Sequence, residues 1–176
     1  MAEKIPENKP EKKDEAGDNA RKFLVDRIDD AFLDDRKATS FVLTVDWLET
    51  AEDSEKKIAY KKFRNGEVQI LLIAKVTKDG NRTSVKEPIS EEKYVELKAL
   101  SVLLVEKTRH EFKYEQKGIT FALKYDEFAN SQVRILEVDA QSEEDRAAFT
   151  PEDFPSKLRE VTGEMQYYGY RVSTVL

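Results

Sequence analysis

The chain has 176 residues, 39% hydrophobic and 38% charged, and its 10% aromatic content is too high for a wholly disordered protein. A single domain fits this length. With no cysteine and one histidine, His110, disulfides and thiolate chemistry are excluded, and histidine-rich zinc sites and serine-type triads are disfavoured. The net charge of −6 is concentrated: residues 137–164 hold nine acids against three bases, the opposite of a nucleic-acid-binding surface. No apolar run approaches the roughly 20 residues that span a bilayer, and the N-terminus lacks a signal-peptide core. Neither membrane nor nucleic acid is expected as a partner, and the expected location is cytoplasmic.

Residues 1–17 are proline-containing, densely charged and nearly devoid of apolar side chains, which predicts a disordered tail before a single domain over 18–176. ARKFLVDR reads as a short strand and residues 27–38 as a short helix or irregular connection. SFVLTVDWLET, rich in β-branched and aromatic residues, reads as a second strand. IAYKKFR and EVQILLIAKV flank Asn65-Gly66, a hairpin signal, and Asp79-Gly80 marks the turn before RTSVKEP. Ser90 is expected to cap an amphipathic helix, SEEKYVELKALSVLLV, with Tyr94, Leu97, Leu100 and Leu103 on its apolar side. EKTRHEFK, KGITFALKY and RILEVDA supply three late strands, SEEDRAAF a capped helix, and LREVTGEMQYY a last helical segment. Eight strands joined mostly as hairpins predict an α+β fold, an eight-stranded antiparallel barrel with helices packed outside.

Residues two apart on a strand share a face. In the late strands this groups Lys107, Arg109 and Glu111, and separately Glu137 and Asp139, away from Leu136, Val138 and Phe121. The sheet is therefore expected to be apolar on one side and ionic on the other. The ionic side either faces water, held by cross-strand ion pairs, or lines a barrel, where it needs water or an anion. His110, opposite in parity to Arg109, reads as a packing or surface residue.

KTR at 107–109, LEVD at 136–139, SEEDRAAF, and EVTGE with Tyr167 after it occur in an order that resembles the CYTH family, also called triphosphate tunnel metalloenzymes. RKFLV, the L-x-V-x-W-L of residues 43–48 and PISEEKYVEL extend the resemblance over about residues 18–170. It implies a tunnel of eight antiparallel strands, basic residues that grip a triphosphate, and acids that hold a divalent metal, Mg²⁺ or Mn²⁺. The basic positions it matches are Lys22, Lys62, Arg64, Lys75, Arg82, Lys107 and Arg109. The matched metal positions are Asp18, Glu137 and Asp139; where the family has further acids this chain has Ala20, Ser84, Lys86, Ala122 and Lys124. Glu137 and Asp139 serve equally well as partners for Lys86, Lys124 or Arg109. The expected partner is a phosphorylated small molecule, a nucleotide or an inorganic or organic polyphosphate, bound and hydrolysed with metal or bound only. A non-catalytic domain that senses such a ligand, or serves a protein partner, is the alternative.

Overall fold

The computed structural model describes residues 19–79, 81–167 and 172, of 81 and 82 the backbone only; the expected tail of 1–17 lies outside them. Nine strands form one sheet: β1 (Arg21–Val25), β2 (Thr39–Thr50), β3 (Ser54–Phe63), β4 (Val68–Lys78), β5 (Asn81–Pro88), β6 (Leu103–Gln116), β7 (Ile119–Phe128), β8 (Arg134–Asp139) and β9 (Leu158–Glu160). Their order is β5-β4-β3-β2-β6-β7-β8-β1-β9, and every pairing is antiparallel. Helices α1 (Asp30–Asp35), α2 (Glu91–Lys98) and α3 (Glu143–Ala148) connect strands. Among the described residues no helix is long and apolar enough to cross a membrane.

The antiparallel sheet with few helices is as expected, with two differences. LREVTGEMQYY contributes a ninth strand and a 3₁₀ turn at Met165–Tyr167 instead of a helix, because Leu158, Arg159 and Glu160 pair with Phe23, Leu24 and Val25. The hydrogen-bonded order also ends at β5 and β9, so among the described residues the sheet is not a closed ladder.

Local chemistry explains the connections. Gly66 takes φ 87° in the β3–β4 turn while Asn65 does not enter positive φ. Instead the Asn65 Oδ1 accepts from the Glu67 amide at 2.9 Å, so the dipeptide works as a glycine plus an Asx turn. Ser142 caps α3 by accepting from the Asp145 amide at 3.1 Å, and Ser90 caps α2 by accepting from Lys93 at 3.2 Å.

The expected amphipathic helix is cut short. Helix α2 stops at Lys98 and buries none of its residues; Leu100 is 65% exposed. Leu103 belongs to β6, opposite Trp47. The apolar run of residues 102–105 finds a strand to pair with, and the Val102 amide donates to the Trp47 carbonyl at 2.8 Å, which outweighs helical periodicity.

The core is divided between the two faces. Phe23, Phe112, Phe121, Leu123, Tyr125, Leu136 and Val138 pack on the outer face under Leu33, Phe149 and Phe154. Burying each large side chain contributes roughly 1.5–3 kcal/mol. Phe41, Leu43, Val45, Trp47, Ala59, Ile73 and Val105 form a second cluster. Register puts Phe41 and Leu43 directly opposite Arg109 and Lys107, so the second cluster shares the ionic face. The division into an apolar side and an ionic side holds for β7 and β8 and fails for β2 and β4.

Candidate functional site

Residues directly opposite across an antiparallel pair share a face, so the ladder itself defines the ionic surface. One row runs Phe63, Phe41, Arg109, Asp126, Ile135, Leu24 and Arg159. The row on one side of it contains Lys61, Leu43, Lys107 and Phe128. On the other side lie Glu111, Lys124, Glu137 and Lys22.

Asp126 is the anchor, and its side chain is 1% exposed. Arg109 donates from Nε to Oδ1 at 2.7 Å and from Nη2 to Oδ2 at 2.6 Å. Lys107 Nζ donates to Oδ2 at 2.6 Å. Short charge-assisted bonds of this kind are about twice as strong as neutral ones. Glu137 lies 3.4 Å from Lys22 Nζ and 3.7 Å from Arg109 Nη2.

Burial opposes ionisation of both acids, and their neighbours outweigh it. Arg109, then Lys107, holds the Asp126 carboxyl well below the usual carboxylate range. Lys22, then Arg109, brings Glu137 down to about 2. Burial also opposes the charge on Arg109, but Asp126 keeps its pKa above the ordinary value. Lys107 is lowered, by burial and then by Arg109, in spite of Asp126.

Lys61 completes the cluster. Burial lowers its pKa first; Glu111 opposes this, while the positive charges of Arg109, Lys86 and Lys124 lower it further. Those cations come from β6, β5 and β7. Among the described residues no carboxylate forms an ion pair with Lys61 or Lys124. The geometry leaves uncompensated positive charge on a partly buried surface, the condition for holding an anion.

The sequence-matched residues fall into three groups. Lys22, Lys75, Lys107, Arg109 and Glu137 lie on the ionic face, Lys75 opposite Glu55 and Ser84. Asp139 is on the same face but pairs with Arg146 at 3.3 Å and accepts from its neighbour's amide, Ala140, at 2.8 Å. Lys62 is on the other face, opposite Val42 and Val68, and is exposed, as is Arg64 in the turn that follows. Lys61 takes the inward place instead. Asp18 and the Arg82 side chain lie outside the described residues.

Asp126 and Lys61 are the residues that the sequence reading did not single out. The signal for Asp126 was present, since continuing the parity of Ala122 and Lys124 by one step reaches it. His110 sits on the outer face: its Nδ1 is 2.7 Å from Ser40 Oγ, its Nε2 is 3.2 Å from Glu127, and its ring stacks on Tyr125.

Two cavities among the described residues are lined by none of the cations of the cluster. One, of about 660 Å³, is bordered by Leu24, Arg134, Lys157, Arg159 and Tyr167. The other, of about 540 Å³, is bordered by Lys113, Ala122, Asp139 and Asp145.

No protein-family model matches the chain, and no curated protein matches it significantly. Eight chains of solved structures do match, two of them as follows. A crystal structure described as the inorganic triphosphatase NE1496 superposes with a TM-score of 0.62 at 22% identity, covering 89% of this chain and 94% of that one. A structure described as the hypothetical protein NE1496 gives 0.61 at 23% identity, covering 89% and 97%. At these identities the likeness concerns backbone architecture: the chain has the fold of the inorganic triphosphatase NE1496.

Proposed function

We propose that this chain is a CYTH-like tunnel protein that binds a triphosphate-bearing ligand on the ionic face of its sheet. The observation that carries the reading is the cation-rich cluster of Lys22, Lys61, Lys107, Arg109 and Lys124, which among the described residues shares its face with the acids Glu111, Asp126, Glu137 and Asp139. A run of linked phosphates matches such a surface because each phosphate brings charge and several acceptor oxygens to donors spaced across neighbouring strands. The name of the structural neighbour and the order of the sequence motifs support the same ligand chemistry.

The residues divide the work. Arg109 directs Nε and Nη2 at Asp126, which fixes its guanidinium and leaves the two Nη1 hydrogens and one Nη2 hydrogen as donors toward a ligand. Lys61 and Lys124, unpaired with carboxylates among the described residues, supply mobile ammonium donors. Phe41 and Leu43, opposite Arg109 and Lys107, keep part of the floor apolar and strengthen the electrostatics above it.

The test is thermal denaturation of the full chain with tripolyphosphate and with ATP, followed by assay for released phosphate. A rise in melting temperature with either anion supports the reading, and phosphate release assigns hydrolysis as well. No shift with either, in the presence or absence of Mg²⁺, contradicts it.

A further inference from the structure

The fold likeness and the CYTH resemblance together imply a divalent metal among the acids of the tunnel, so the donor set has to be tested against one. Mg²⁺ and Mn²⁺ require several hard oxygen ligands, preferably carboxylates free to turn toward the ion. Each metal-position acid among the described residues, and Asp126 with them, is already committed elsewhere. Both Asp126 oxygens accept from Arg109 and Lys107. Glu137 faces Lys22 and Arg109, and Asp139 faces Arg146. Among the described residues no group of three or more His, Cys, Asp or Glu is placed to hold an ion.

The cross-strand row sharpens the misfit. Glu111 and Glu137 lie on the same face with Lys124 directly between them, opposite both. Adjacent strands are about 4.8 Å apart, so an ion bridging those two carboxylates would occupy the place of the Lys124 ammonium. Lys61 and Lys86 act on the same space from β3 and β5. The donor set does not fit a divalent ion; it presents organic cations where one would sit.

We infer that lysine ammoniums take the place of the divalent metal in this site, so that the ligand recognised is the metal-free polyphosphate anion. This rests on the triphosphate-binding reading and specifies the form of the ligand. A metal-complexed triphosphate carries less negative charge and meets Lys61 and Lys124 with a cation already attached, so like charges face one another. Metal should then act as a competitor for the ligand instead of a cofactor.

The experiment is isothermal titration of tripolyphosphate into the full chain in EDTA and again in millimolar MgCl₂ or MnCl₂. Binding that is tighter in EDTA, by an expected factor of about ten over the magnesium buffer, supports the inference, and equal binding in the two buffers overturns it. Lys124→Glu, which makes the row acidic, is expected to lose binding in EDTA and regain part of it with Mn²⁺, while Lys124→Gln loses affinity in both buffers. Circular dichroism confirms that both variants are folded. Binding by the wild-type chain that requires Mg²⁺ or Mn²⁺ overturns the inference and leaves triphosphate binding standing. Absence of binding in every buffer overturns triphosphate binding itself, and the inference with it.

Discussion

Arg109 holds Asp126 in a two-bond fork, Nε to Oδ1 at 2.7 Å and Nη2 to Oδ2 at 2.6 Å, and the two residues stand directly opposite each other on β6 and β7. A buried fork of this kind fixes a guanidinium in place while using two of its five N–H donors. Everything else on the ionic face is arranged around it.

Replacing Asp126 removes the anchor. Asp126→Asn leaves Arg109 and Lys107 without their carboxylate, each with a side chain only 14% exposed. Breaking one side of a buried pair costs about 3–5 kcal/mol, to be read from urea denaturation. The same variant, once folded, is expected to bind tripolyphosphate more tightly than wild type, because two cations lose an internal competitor.

Acid stability follows from the depressed carboxyls. A group whose folded pKa lies below its unfolded value contributes stability above the unfolded pKa and loses it as pH falls through the folded one. Glu137 sits at about 2 against an ordinary 4.5, and Asp126 is lowered as well. The Glu137 contribution should be complete at neutral pH, decline from about pH 4.5 downward and be lost as pH falls through about 2, while that of Asp126 persists to still lower pH. Melting temperature against pH should show this slope, and Glu137→Gln should flatten it.

Lys61 and Lys62 are adjacent in sequence and face opposite ways. Lys61→Gln is expected to weaken tripolyphosphate binding roughly tenfold, the scale of one charged hydrogen bond, whereas Lys62→Gln should leave it unchanged. Because burial and its cationic neighbours lower the Lys61 pKa, binding should also weaken on raising the pH before ordinary lysines titrate. A competition assay between pH 7 and pH 10 measures both effects.

Leu100, expected on the apolar side of the α2 segment, is exposed, unlike Phe121 of β7. Leu100→Ala should change stability by less than about 0.5 kcal/mol, as for an exposed site, because Leu100 is 65% exposed. Phe121→Ala, at a position with no exposure, should cost about 3–5 kcal/mol. Denaturant titration of the two variants separates them.

Much of this was readable from residue alternation. Strands β1 to β8 announce themselves through β-branched and aromatic runs, and the parity of KGITFALKYDEF and RILEVD places Lys124, Asp126 and Glu137 on one face. What alternation cannot supply is the register between strands distant in sequence. A register shift between Trp47 and Glu49 and the pairing of Leu43 with Lys61 decide that Lys61 and not Lys62 turns inward, a one-residue difference that reverses the face. The ninth strand, three residues long, carries too little pattern to be seen without β1 beside it. Asp126 lies one step beyond Tyr125, where the alternating segment KGITFALKY ends.

A crystal structure of the full chain grown with tripolyphosphate tests the central claim most directly. Phosphate oxygens are expected within hydrogen-bond distance of the Lys61 and Lys124 ammoniums, above the Arg109–Asp126 pair. Phosphate bound instead on the outer face beside Lys62 and Arg64, or an ionic face that stays empty at saturating ligand, would contradict it.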